Sequence, residues 1–336
     1  MAEFNHGLVI GKFYPPHKGH GYLIAAALKH CESVTVLVCD HPSQALSGEF
    51  RAHCIRDSFS SANVIVVDDT LPEDRSDLWA ENTLRVLGEA PDAVFTSESY
   101  GDAYAAHMGC AHVLVDQPRA NLPIAATQIR ADLLENLEWL LPAAKSAFIP
   151  RICVVGAEST GTTTLSMALA EHYRTSWVPE YGREYWINKL QEGTEIVWST
   201  DDFLAIAHEQ ARQEDALARD ANRLLICDTD PFATSIWHER YLQCRSEELE
   251  RFASARRYAL HILTGDEIPF EQDGFRDGEH IRHWMHEVFQ ERLKSFGLPH
   301  IEVSGSPQTR LQSAIAAIDG ILACYEFPTT RSDAPL

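Results

Sequence analysis

The chain of 336 residues sets 49 acidic side chains against 28 basic ones, a formal net charge of −21, and is 45% hydrophobic and 23% charged. That balance is one of a globular chain long enough for two domain cores. With no basic block its field repels duplex DNA and RNA, and with no run of about 18 apolar residues it offers no membrane span.

The opening MAEFNHGLVIGKF lacks the basic start and long apolar stretch of a signal peptide, so the expected compartment is the cytoplasm. Among the 8 cysteines there is no CxxC pair, and Cys39, Cys153 and Cys227 lie in or beside apolar runs. They are expected as small core residues rather than disulfides or zinc ligands.

Short β-branched runs alternate with longer helical patterns, which predicts an α/β chain built on parallel sheets with helices on both faces. In chain order the first half offers strands at 8–10, 34–39, 64–67, 93–96 and 112–115, with helices at 18–30 and 78–88. A last helix, 127–140, is expected to stop at Leu141-Pro142. The second half opens with a strand at 152–155 and continues with strands at 224–227, 260–263 and 300–303. Its expected helices are 162–173, 202–220, 279–296 and 308–325. The boundary falls near 142–150, giving domains 1–146 and 147–336, and the polar tail 327–336 is expected to fray.

The string Gly11-Lys12-Phe13-Tyr14-Pro15-Pro16-His17-Lys18-Gly19-His20 follows the first strand and opens a helix. It therefore stands at the carboxyl end of a strand, where open α/β sheets bind ligands. Two imidazoles three residues apart at a helix start can reach one phosphate and meet the positive end of the helix dipole. That pair alone also fits a surface site or a metal site. The full Gly-x-Phe-x-Pro-x-His-x-Gly-His string is more specific and resembles the signature of the nucleotidyltransferase superfamily. A second segment, Pro123-Ile124-Ala125-Ala126-Thr127-Gln128-Ile129-Arg130, resembles that superfamily's second motif. Thr127 and Arg130 match it, and alanine stands at 125 where serine is usual. The resemblance implies in-line attack by an acceptor phosphate on the α-phosphate of ATP. His17, His20, Arg130 and Mg²⁺ would neutralise charge, Lys12 would assist, and Gly11, Phe13, Tyr14 and Thr127 would complete the ATP site.

The strand at 152–155 leads into Gly156-Ala157-Glu158-Ser159-Thr160-Gly161-Thr162-Thr163-Thr164. Glycine spacing and the hydroxyl of Thr163 fit the GxxxxGK[ST] phosphate loop, but Thr162 stands in the lysine's place. The amide cradle from Gly156 to Thr164 should hold phosphates without it. The lost contact is worth roughly 1.5–3 kcal/mol. Asp228-Thr229-Asp230 ends the strand at 224–227, as a magnesium-binding carboxylate should, with Thr163 as the second ligand. Arg276, in the Gly- and Asp-rich segment 273–278, would close over the phosphates as a lid or remain an exposed loop charge.

Both halves in this order resemble the NadR-type bifunctional NMN adenylyltransferase/ribosylnicotinamide kinase, over about residues 6–325. The match includes Ser97-Glu98-Ser99-Tyr100-Gly101, Val113-Leu114-Val115-Asp116 before Arg119, and Pro179-Glu180-Tyr181-Gly182-Arg183-Glu184-Tyr185. The resemblance implies a Rossmann-like nucleotidyltransferase domain followed by a P-loop kinase-like domain. The second would make NMN from ribosylnicotinamide and ATP, and the first NAD and pyrophosphate from NMN and ATP. Glu180 and Arg183 would hold ribosylnicotinamide, and Asp228 or Asp230 would bind Mg²⁺ or orient the ribose 5′-hydroxyl. Trp79 would stack on the nicotinamide or pack in the core.

The chain begins only a few residues before its first strand, so the repressor role that some family members gain from an N-terminal helix-turn-helix is not expected. His280, His283 and His286 read as a solvated or edge stripe rather than a metal site. Two alternatives stay open: a second domain that senses nucleotide without turnover, and a first domain acting on another acceptor such as phosphopantetheine or nicotinic acid mononucleotide. Homo-oligomer formation is equally open.

Overall fold

The computed structural model describes residues 2–118, 120–192, 197–272 and 278–334. The chain divides into two units, Met1–Lys145 with Glu326–Leu336, and Ser146–Tyr325.

In the first unit β1 (Phe4–Gly11), β2 (Cys31–Asp40), β3 (Asn63–Asp68), β4 (Ala93–Thr96) and β5 (Ala111–Leu114) form one parallel sheet in the order β3-β2-β1-β4-β5. Successive side chains in a strand point to opposite faces. Val9, Val36, Val38 and Phe95 accordingly pack on one face against Ile24 and Ala27 of the helix Lys18–His30. Leu8, Ile10, Leu37 and Val94 pack on the other against Ala80, Tyr104 and Ala105. The near-continuous apolar runs of β1 and β2 reflect this burial on both faces.

Two expectations for this unit change. The predicted helix 127–140 is instead a short helix, Ala126–Ala131, followed by a 3₁₀ turn, Leu134–Trp139. Asp132 breaks it with φ −147° and ψ 91°, and its carboxylate accepts a hydrogen bond from Glu135 N at 3.2 Å. Such local side-chain bonding competes with the helical ladder. Pro142 starts a helix, Pro142–Phe148, rather than stopping one, because a first-turn position needs no N–H.

The tail also differs. It does not fray over residues 327–334 but packs on the first unit: Phe327 is buried with its ring edge-on to Tyr14, centroids 5.5 Å apart. Arg331 donates to Asp40 Oδ1 at 2.9 Å, His41 O at 3.1 Å and Gln44 O at 3.1 Å.

The second unit holds β6 (Arg151–Val155), β7 (Trp177–Val178), β8 (Leu225–Asp228), β9 (Leu260–Thr264) and β10 (His300–Val303), parallel in the order β10-β9-β6-β8-β7. Ile152, Val154, Ile226 and Ile262 pack against Leu165 and Leu169 of the helix Thr162–Tyr173 and Ala314 and Ile318 of Pro307–Leu322. The helix Thr200–Ala218 begins at a capping box in which Ser199 and Asp202 satisfy each other's backbone N–H. The predicted helix 279–296 is a 3₁₀ turn, Glu279–Ile281, running into Arg282–Ser295.

The histidine stripe on that segment is not uniform. His283 is exposed beside Asp266, whereas His286 is buried with Nε2 3.1 Å from Glu302 Oε1. All eight cysteines are free thiols. No helix among the described residues is long and apolar enough to cross a membrane.

Candidate functional site

In the first unit the strand order reverses between β1 and β4, and a cavity of about 870 Å³ opens at their carboxyl ends. Gly11, Lys12, Phe13, Tyr14, His17, His20, Thr127, Arg130 and Trp79 all line it. His17 caps the helix Lys18–His30: its Nδ1 accepts from Gly19 N at 3.1 Å, while His20 Nδ1 accepts from His17 N at 3.3 Å. The two rings stack with centroids 3.7 Å apart. Because each Nδ1 is an acceptor, the proton of each neutral imidazole sits on Nε2, which is the donor a phosphate oxygen needs. Gly19 is required here, since a Cβ would lie 2.9 Å from the His17 ring.

Arg130 joins the second motif to the first. Its Nη1 donates to Tyr14 O at 2.6 Å and its guanidinium lies 5.2 Å over the Tyr14 ring. At Ala125, where serine was the expected type, Gln128 Oε1 accepts the helix-start N–H of Ala125 at 2.7 Å. Lys12 is turned to acids: Glu73 at 2.5 Å and Asp69 at 3.6 Å. The hydrogen bond to Glu73 raises its pKa against the opposing cost of burial.

Two residues that sequence reasoning passed over shape this cavity. Arg51, with no exposed surface, donates to the carbonyls of Lys12, Cys39 and Leu46, to Asp40 Oδ1 at 2.7 Å and to Gln44 Oε1 at 2.8 Å. It ties the loop after β1 to the end of β2. The other is Asp69, buried directly after β3 and on the cavity wall. Neither gives a sequence signal, because an isolated charged residue in a helix or after a strand reads as surface.

In the second unit the loop after β6 runs into the helix Thr162–Tyr173 beside a cavity of about 170 Å³. Gly156, Glu158, Ser159, Thr162, Thr163, Glu180, Arg183 and Asp228 line it. Gly161 adopts φ 85°, the left-handed region glycine tolerates, and a Cβ at Gly156 would come 2.2 Å from Thr264 Oγ1. Thr163 Oγ1 donates to Asp228 Oδ2 at 2.6 Å. Burial lifts the Asp228 pKa to about 6, against the hydrogen bonds from Thr163 and Thr162 and the charge of Arg183.

Thr160 and Thr164 do not line the cavity. Thr160 is buried, bonded to Ala157 O at 2.7 Å and Thr264 Oγ1 at 2.6 Å, and Thr164 lies exposed in the first helical turn. Three arginines hold the loop: Arg240 on Glu158 at 2.9 Å, Arg282 on Ser159 O at 3.3 Å and Arg310 on Thr160 O at 2.6 Å.

Asp230 is the correction in this unit. Its Oδ1 accepts from Ala233 N at 2.8 Å, capping the helix Pro231–Leu242, and its Oδ2 lies 2.9 Å from His261 Nε2. With no exposed surface it faces the core, because the helix started by Pro231 takes its carboxylate as a cap. Arg276 with segment 273–277, and Arg119, lie outside the described residues. Five aromatics that sequence reasoning did not single out, Trp186, Trp198, Phe203, Trp237 and Tyr241, wall the cavity from scattered chain positions.

A family model described as an AAA domain matches residues 151–310. The trifunctional NAD biosynthesis/regulator protein NadR of Escherichia coli (strain K12) is 29% identical over 293 residues, covering 80% of this chain and 71% of the relative. A crystal structure of NadR protein in complex with NR superposes with a TM-score of 0.75 at 22% identity, over 98% of this chain and 99% of that one. Another, of NadR protein in complex with NAD and AMP-PNP, gives 0.72 at 22% identity over 96% and 97%. In the motifs of each unit and in fold, the chain is similar to these NadR proteins.

Proposed function

We propose that the chain works in NAD biosynthesis and salvage. The first unit transfers AMP from ATP to NMN, releasing pyrophosphate, and the second phosphorylates ribosylnicotinamide to NMN. The observation that carries the reading is the first cavity, where the stacked His17–His20 pair and the Arg130–Tyr14 contact meet at the strand-order reversal. An NMN phosphate oxygen forms a bond to the α-phosphorus of ATP as the bond to pyrophosphate breaks. The Nε2–H groups of His17 and His20, with the Arg130 guanidinium, stabilise the charge on the phosphate oxygens in flight. No covalent enzyme intermediate is needed, so positioning does the work.

In the second unit the cradle of Gly156, Glu158, Ser159, Gly161, Thr162 and Thr163 takes the ATP phosphates, and Glu180 and Arg183 hold the ribosyl acceptor against the aromatic wall. The Thr163 hydroxyl and Asp228 carboxylate are hard oxygen donors 2.6 Å apart, a pair that suits Mg²⁺, which prefers oxygen ligands and keeps water and phosphate for the rest. When bound, the ion neutralises phosphate charge. A second reading, a nucleotide sensor without turnover, is favoured by Thr162 in the lysine position and by arginines committed to the loop itself.

The test is to supply the purified protein with ribosylnicotinamide, ATP and Mg²⁺, and in parallel with NMN, following NMN and NAD by chromatography. NAD from both substrates supports two working sites. NAD from NMN alone selects the sensor, and NAD from neither overturns the reading.

A further inference from the structure

We propose that Asp69 selects the pyridine substituent of the acceptor nucleotide, accepting a hydrogen bond from a carboxamide NH₂ and turning away a carboxylate. The inference rests on the adenylyl-transfer reading of the first unit.

Asp69 directly follows β3, and its backbone N donates to Asp40 O at 2.9 Å, which fixes the residue against the end of β2. Its side chain is 6% exposed and lines the 870 Å³ cavity, yet Oδ2 is buried with no hydrogen-bond partner. A buried carboxylate oxygen lacking a donor is costly and uncommon, and a ligand group that supplies the donor accounts for it. The nearest cation does not fill that role: Lys12 Nζ stays 3.6 Å away and gives its short contact, 2.5 Å, to Glu73.

The ligand chemistry follows from the charges. Asp69 and Glu73 against Lys12 leave one negative charge in excess on this wall. A carboxamide brings two N–H donors to it, whereas a carboxylate brings only acceptors and a like charge. Trp79 lines the same cavity with its indole N–H committed to Pro72 O at 3.2 Å. Its ring then serves as an apolar platform, and the polar discrimination falls to Asp69.

The experiment compares kcat/KM for NMN, nicotinic acid mononucleotide and 3-acetylpyridine mononucleotide in the full chain, at saturating ATP. The acetylpyridine compound is neutral and close in size to NMN but has no N–H on its substituent. The unaltered protein should use NMN at least tenfold better than either analogue, since a site built to bind a donor rejects an analogue lacking it. In Asp69→Asn, whose side-chain amide can donate to a carboxylate, the ratio of deamidated to amidated use should rise at least tenfold with KM for ATP unchanged. Equal use of NMN and the acetylpyridine analogue by the unaltered protein overturns the proposal, and needs no variant to fold. So does an Asp69→Asn protein in which both acceptors fall together, which would place the carboxylate on a group they share, such as the ribose hydroxyls. Failure of the unaltered protein to make NAD from NMN would remove the adenylyl-transfer reading, and the proposal with it.

Discussion

Replacing Thr162 by lysine restores the side chain that a phosphate loop of this spacing ordinarily carries. Thr162 opens the helix Thr162–Tyr173 and lines the cavity next to Thr163 and Asp228, so a lysine there starts from the correct backbone position. The arginines around the loop are engaged elsewhere: Arg240 on Glu158, Arg282 on Ser159 O, and Arg310 on Thr160 O, Gly265 O and Glu267. One charge-assisted hydrogen bond to a phosphate is worth about 1.5–3 kcal/mol. If it acts in the transition state, Thr162→Lys should raise kcat/KM for ribosylnicotinamide phosphorylation by about one to two decades. The new ammonium beside Asp228 should also lower that carboxyl's pKa from about 6, moving the acid limb of the pH profile downward. The assay is initial-rate NMN formation at several ATP concentrations and pH values. A folded Thr162→Lys protein with unchanged or lower kcat/KM would refute the reasoning, because some other cation would then already serve the phosphates.

Three further outcomes are expected. His20→Ala should abolish NAD formation from NMN while sparing nucleotide binding and any turnover in the second unit; loss of both in a folded protein would break the two-site assignment. Arg51→Met should destabilise the first unit by about 3–5 kcal/mol in urea unfolding, since Asp40 and several carbonyls lose their buried donor. A loss below about 1 kcal/mol would mean that Arg331 or water replaces it. The third concerns acid. Burial works to raise the Asp202 pKa, but hydrogen bonds from Lys189, Ser199 and Tyr185 outweigh it and hold it at about 2, against an ordinary 3.8. The depressed folded value makes its stabilisation complete above about pH 4 and progressively lost as pH falls toward 2. Solvent near Lys189 trims the contribution to about 1–2 kcal/mol. Asp202→Asn should therefore flatten the acid dependence of unfolding between pH 4 and 2, and an unchanged slope would count against it.

Much of the architecture is legible in the sequence because buried parallel strands leave continuous β-branched runs, and nine of the ten strands among the described residues announce themselves that way. The tenth, β7 at Trp177–Val178, is two residues long and has no pattern to show. Helix interiors were readable from periodicity, while breaks were set by single side chains such as Asp132. The phosphate motifs were legible because they are local: His17 and His20 act through neighbouring amides, and Thr163 stands in a fixed spacing from Gly156. What the sequence hides is long-range. Arg51 reaches Lys12 O across 39 positions and Arg310 reaches Thr160 O across 150. Asp230 misled for a related reason, since a strand-end aspartate and a helix cap share the same residue type, and only the direction of the chain at Pro231 separates them.

The return of the tail to the first unit has a consequence for biosynthesis on the ribosome. The strands β1–β5 emerge first and can pair while the rest of the chain is being made. Phe327, which covers the ring of Tyr14, and Arg331, which shares Asp40 with Arg51, arrive only after residues 146–325 have been added. At ~5–20 residues per second that interval is roughly 10–40 s. Throughout it the nascent sheet holds a cavity whose Tyr14 wall is uncovered on one side. Full shape of that cavity thus depends on residues made last among those of the first unit, and residues 1–145 alone should bind nucleotide more weakly than the chain with its tail.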